Sequence, residues 1–163
     1  MLRSIQNSFI DKVELSALEI DSLDNYDHPV QVRYNIDCDL PDSDILYFNP
    51  MLGEGYKDNP FKSENRMYPV EMPYARDELY IFTMDIPTGY EVDELPQSVK
   101  INLNKDDGVF EYMISKSSTT VNLRSRIRLN RATFGSEEYA ALRGFFAQIV
   151  KKQSERIVFK KKK

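Results

Sequence analysis

Residues 99–129 read VKINLNKDDGVFEYMISKSSTTVNLRSRIRL, and the fold turns on how this stretch is parsed. Val99, Ile101 and Leu103 alternate with polar residues, NKDDG interrupts, and Phe110, Tyr112 and Ile114 alternate again. KSST then interrupts before Val121, Leu123, Ile127 and Leu129, all on odd positions. A period of two is that of a strand with one buried face. Connections this short, rich in Asp, Gly and Ser, return the chain beside itself, so the three strands are antiparallel neighbours.

Upstream, Val30, Val32, Tyr34, Ile36, Cys38 and Leu40 alternate with Gln31, Arg33, Asn35, Asp37 and Asp39, a half-buried strand. Before it, Val13 and Leu15 lie on odd positions but Leu18 and Ile20 on even ones, which a single strand accommodates through a bulge near Ser16 and Ala17. DNYDHP turns the chain between the two. ILYF at 45–48 is a short strand, and Tyr80, Phe82, Met84 and Ile86 alternate along another that ends at Pro87-Thr88-Gly89. Between Asn49 and Asp77, four of the eight prolines fall in a stretch with no sustained period. A structureless loop of that length is uncommon, so it is expected to pack along the fold in extended form, helped by Phe61, Tyr68, Val70 and Tyr74.

Downstream the period changes. Tyr139, Leu142, Phe145, Phe146, Ile149 and Val150 recur at helical spacing, with Arg143, Gln148, Lys151 and Lys152 on the other side. The helix is expected over 136–153, with Ser136 as N-cap and the acidic and basic ends suited to its dipole. Ile157-Val158-Phe159 follows as a short last strand or packed tail. The sum is a mainly β chain: an antiparallel β-sandwich of about seven or eight strands with one C-terminal amphipathic helix. It is expected to form one domain over residues 1–163.

The net charge of −4 hides a division. Residues 1–98 hold 7 of the 22 Lys+Arg and 20 of the 26 Asp+Glu, a net −13, and residues 99–163 carry +9. Strands of the two halves are expected to pair, so the split reads as complementarity within one fold rather than as a nucleic-acid surface. No apolar run is long enough to span a membrane, and MLRSIQNSFIDK lacks the core of a signal peptide, so a soluble chain without membrane insertion is expected.

Chemistry-bearing residues are sparse. One Cys and one His exclude zinc sites built from Cys and His, and no cofactor is expected. Cys38 lies on a strand between Asp37 and Asp39, whose charge would raise a thiol pKa, so it reads as structural, with His28 a turn residue. Asp37, Asp39, Asp42 and Asp44 have alternate spacing but no EF-hand Gly or closing Glu, and Asp24, Asp27, Asp42 and Asp44 either meet as oxygen ligands at one end of the sandwich or, the reading preferred, are solubilising turn residues. Arg124, Arg126 and Arg128 leave one face of a strand about 6.6–7 Å apart. They serve either as partners for acidic neighbours or as part of a docking surface. The tail Lys160 to Lys163 reads as a frayed end.

NPFKSENRMYPV at 59–70 resembles a segment of bacterial transglutaminase-like proteins. IPTGYEV at 86–92, Leu95-Pro96, FGSEEY at 134–139, Leu142, Phe145-Phe146 and Ile157-Val158 are similar, in order, to the same C-terminal β-sandwich domain of unassigned function, from about Val13 onward. The resemblance implies a larger protein with an N-terminal β-rich domain and a papain-like core bearing a Cys-His-Asp triad, located in the periplasm or cell envelope. Neither Cys38 nor His28 matches a triad motif, so no catalytic residue carries over. What is expected is a non-catalytic accessory domain that packs on or modulates the core. Its candidate interaction residues are Asn59, Phe61, Glu64, Arg66 and Tyr68, with Arg124, Arg126 and Arg128. Pro60 and Pro69 would fix the backbone there, and a Glu64–Arg66 ion pair or an Arg66 bond to loop carbonyls would hold it. The alternatives are a free-standing cell-envelope module for protein or carbohydrate, using Tyr47, Tyr56, Tyr68 and Tyr74, or an enzyme in its own right.

Overall fold

The computed structural model describes residues 13–24, 27, 30–38, 41 and 43–162. They group into two compact units, one drawn from the chain up to Asp42 with Leu52–Glu54, the other from Ser43–Met51 and Gly55 onward.

The first unit is an antiparallel hairpin of β1 (Val13–Asp21) and β2 (Gln31–Cys38). Its register places Leu15 opposite Ile36 and Ile20 opposite Val32, with a shift between Ser16 and Glu19. Ala17 lies there at φ +52°. The extra residue is why odd apolar positions before it and even ones after it both meet the even positions of β2. Val30 and Val32 are 52% and 38% exposed. His28 and most of the DNYDHP turn, with Asp39, Leu40 and Asp42, lie outside the described residues.

The second unit holds β3 (Ile45–Phe48), β4 (Val70–Glu71), β5 (Asp77–Asp85), β6 (Tyr90–Glu94), β7 (Val99–Leu103), β8 (Gly108–Lys116), β9 (Thr120–Leu129), β10 (Thr133–Phe134), α1 (Tyr139–Gln153) and β11 (Ile157–Lys161). The three strands read first form one meander, and β5 joins it beside β9, giving a four-stranded sheet in the order β5-β9-β8-β7. Asn104 at φ +49° turns β7 into β8, a conformation Asn tolerates better than most residues. Ser117 closes the β8–β9 turn, its Oγ accepting from the N–H of Thr119 and of Thr120. The last strand, β11, sits between β3 and β6 in a three-stranded antiparallel sheet.

Period two becomes burial directly. Phe110, Tyr112 and Ile114 on β8, and Val121, Leu123, Ser125, Ile127 and Leu129 on β9, are buried, while the residues alternating with them are half-buried or exposed. Leu46, Val92, Ile157 and Phe159 of the smaller sheet enter the same core. The Phe48 ring lies 5.9 Å from Phe82 and 6.5 Å from Phe159, which ties the two inner faces into a sandwich-like arrangement. Each such side chain contributes roughly 1.5–3 kcal/mol when fully buried. Helix α1 adds Tyr139, Leu142, Phe145, Phe146 and Ile149, and packs beside the outer strand β7.

Three expectations need correction. The helix is not capped by Ser136, which opens a short 3-10 turn, Ser136–Glu138. The turn is closed instead by the Gly135 N–H donating to the Glu138 carboxylate at 2.8 Å, because Arg131 holds that carboxylate in place. Lys152, assigned to the polar side, is buried: its ammonium bonds Glu155 at 2.6 Å and lies 5.5 Å from the centre of the Tyr112 ring. Tyr68 and Tyr74 do not fasten the proline-rich stretch, being 78% and 72% exposed. Phe61 and Val70 do, the latter buried in β4 against β10.

Candidate interaction surface

The proline-rich stretch is anchored at one end and open at the other. Asn59 Nδ2 donates to the Arg143 carbonyl of α1 at 2.8 Å, and Asn59 Oδ1 accepts from the Phe61 N–H at 2.9 Å. That sets the Phe61 ring edge-on to Phe146 at 5.1 Å and to Tyr139 at 6.1 Å. Tyr139 then donates its hydroxyl to the Ser63 carbonyl at 2.7 Å. Beyond Ser63 the side chains turn to solvent. Arg66 Nε donates to the Tyr68 carbonyl at 3.2 Å, so the loop-carbonyl alternative holds, and Arg66 and Glu64 form no ion pair. Glu64, Met67 and Tyr68 are exposed, Met67 at 89%.

The three arginines lie on the outer face of the four-stranded sheet. Arg124 bonds Glu111 at 3.0 Å, Lys100 reaches the same carboxylate at 3.1 Å, and Arg126 grips both oxygens of Asp77 at 2.6 and 2.7 Å. Arg124, then Lys100, holds the Glu111 carboxyl below its usual range, and the Arg126 bond does the same for Asp77. Arg128 is exposed, opposite Asp77 and Val109 in register. Between these charges stand Leu79, Ile81 and Met113, 53%, 68% and 49% exposed. Among the described residues, no bond or ring contact joins this face to the residues at 59–68.

The aromatic set divides as well. Tyr47 is 64% exposed, whereas the Tyr56 ring packs edge-on to Phe146 at 5.5 Å and its hydroxyl sits between Arg76 and Glu78. Burial and then Glu78 push that hydroxyl's pKa up. No three His, Cys, Asp or Glu residues converge on a metal site among the described residues. Of Cys38 the backbone alone is described. No described helix is long and apolar enough to cross a membrane.

Two polar knots escaped sequence reading. Gln153 is 4% exposed at the end of α1: its carbonyl accepts from Asn49 at 3.0 Å, its Oε1 accepts from the Tyr56 N–H at 2.9 Å, and its amide donates to Ser125 at 3.4 Å. It joins the helix to the start of the proline-rich stretch and to the centre of β9. Arg131 joins Asp107, at 2.7 Å, to Glu138 and lies over the Phe134 ring at 4.2 Å. Both depend on residues distant in sequence, so no local pattern marks them. A buried Ser125 in the middle of an otherwise apolar strand face was the one available sign.

Compared with known proteins, residues 44–159 match the family model described as a Domain of Unknown Function with solved-structure structure (DUF3858). No curated protein matches. Among solved structures, the chain is similar to a crystal structure from Parabacteroides distasonis described as a "putative protease". That likeness has a TM-score of 0.52 at 20% identity, over 60% of this chain and 19% of that one. It is a likeness of fold. The chain thus spans about a fifth of the length of that protein, and the family match begins after the β1–β2 hairpin, although the resemblance had been drawn from Val13.

Proposed function

The chain belongs to the DUF3858 family, and from that premise we propose that it is a non-catalytic accessory domain of a larger protease-like protein, packing on or modulating its catalytic core. The observation that carries this reading is the 19% coverage: a similar fold forms a minor part of a longer chain described as a "putative protease". The resemblance of 59–70 and 134–146 to transglutaminase-like proteins adds that the core is papain-like, and that the protein works in the periplasm or cell envelope. The exposed end of the proline-rich stretch, Glu64 to Tyr68, and the outer face carrying Arg124, Arg126 and Arg128 are the surfaces offered to that core. A free-standing binding module is the second reading, favoured by the exposed Tyr47, Met67, Tyr68 and Tyr74.

The test begins with the reading frame around this chain. If a papain-like core is encoded with it, the purified core should bind the 1–163 chain and change its peptide hydrolysis. Met67→Ser with Tyr68→Ser, or Arg126→Ala, should weaken that binding. Hydrolytic or acyl-transfer activity in the isolated chain that disappears in Cys38→Ala with His28→Ala would overturn the accessory-domain reading.

A further inference from the structure

Among the described residues, the long edge strand β5 is open. Its pairing with β9 runs through nine residues with no register shift, and the ladder continues beyond both ends, from the Leu129 N–H to the Arg76 carbonyl and from the Ile86 N–H to the Thr119 carbonyl, each at 2.8 Å. Antiparallel bonding alternates, so the even residues of β5 bond β9 and the odd ones point away. The N–H and C=O groups of Asp77, Leu79, Ile81, Thr83 and Asp85 therefore line the free edge, without a backbone partner among the described residues.

Natural sheets guard such an edge with Lys, Pro, a bulge, shortness or a covering helix. Here β7, at the other edge of the same sheet, has α1 beside it. The outer strands of the smaller sheet are four and five residues long, and β6 carries Glu91, Asp93 and Glu94. Strand β5 has none of these devices between its ends: Leu79 to Met84 reads LYIFTM, without charge, Pro or Gly. Leu79 and Ile81 are also exposed on the outer face.

We propose that the β5 edge is a self-association site, at which a second copy of this chain adds its own β5 antiparallel across a two-fold axis at Ile81. The strand is self-complementary in that register. Ile81 faces Ile81 of the second copy, Leu79 faces Thr83, and Asp77 faces Asp85, so all five outward-bonding residues find pairs at once. On the inner face Tyr80 comes opposite Phe82. At each end Asp85 of one copy arrives beside Asp77 of the other, where Arg126 already binds and Arg128 stands opposite in register, so two guanidinium groups meet two carboxylates. One strand pair buries less than a standard interface, which makes the association weak and reversible.

The experiment is sedimentation velocity over a concentration series on the whole chain, with amide hydrogen exchange at the two extremes. Reversible dimerisation is expected, with exchange at Leu79, Ile81 and Thr83 slowing as concentration rises. Ile81→Pro removes an N–H that β9 does not use, so the protomer still folds while the dissociation constant rises by about tenfold or more. Thr83→Lys, which leaves the backbone unaltered, should act in the same direction. A monomer at every concentration overturns the proposal. So does a dimer that both variants leave equally tight, or an edge that becomes protected only when a different protein is added.

Discussion

Asn59 commits both ends of its side chain to backbone groups, one on α1 and one on its own loop. That distinguishes it from Glu64 and Tyr68, which make no side-chain bond and stand in solvent. Asn59→Ala should therefore cost about 1–2 kcal/mol, because the Arg143 carbonyl and the Phe61 N–H both lose a partner. Glu64→Ala and Tyr68→Ala should stay within about 0.5 kcal/mol of the parent. Urea denaturation checks all three, and equal costs would undo the division into an anchored and an open end. At this scale the sequence was informative about residue type and silent about neighbours. Phe61 could be recognised as an anchor, since a large apolar side chain rarely stays out. Tyr68 offered the same signal and is exposed, because Arg66 binds the Tyr68 carbonyl and the ring finds no layer to enter. Lys152 is the reverse case: a charge on the expected polar side is buried because Glu155, three residues on and past the helix end, neutralises it.

The bulge in β1 shows how far pattern reaches for an element. A change of parity between Leu15 and Leu18 was sufficient to place an extra residue near Ala17, because register can satisfy both sets of apolar positions in no other way. Its conformation was not legible, since alternation reports facing and not φ. Ala17 at +52° lies in the left-handed region, which a side chain disfavours. Ala17→Gly should stabilise the hairpin by up to about 1 kcal/mol. Hydrogen exchange of the β1 and β2 amides measures this, and faster exchange in the variant would mean that the strain is already relieved. The two-residue strands β4 and β10 and the five-residue β6 went unread for a simple reason: a period needs more repeats than they contain.

Across the whole molecule, the charge division at residue 98 has a narrower meaning than opposite halves in contact. Arg126–Asp77 crosses it, whereas Arg124 and Lys100 pair with Glu111, and Arg131 pairs with Asp107 and Glu138, all within the basic half. Within the first unit, β1 pairs with β2. Backbone pairing crosses the division more thoroughly: β5 joins β9, and β11 lies between β3 and β6. Residues 1–98 and 99–163 made separately should each lack cooperative unfolding by circular dichroism, and two independently folded halves would contradict this. Acid should act through the same ion pairs. Asp77, Asp107, Glu111 and Glu138 all have folded pKa values lowered chiefly by bonds to Arg126, Arg131, Arg124 and Arg131 respectively. The folded state thus binds fewer protons than the unfolded chain, so this stability is complete above the ordinary carboxylate range of about 4 and is lost as pH falls through the lowered values. Urea midpoints should hold from pH 7 to about 5 and drop below about 4, and an unchanged midpoint at low pH would count against it. The sequence by itself determined the longer strands, the helix α1 and the antiparallel meander of β7, β8 and β9, because side-chain period and turn length are local properties. Tertiary structure alone decided that β5 lies at an open edge, that β11 is central, and that Gln153, Arg131 and Lys152 become buried or bridging, because each depends on which distant segment supplies the neighbour.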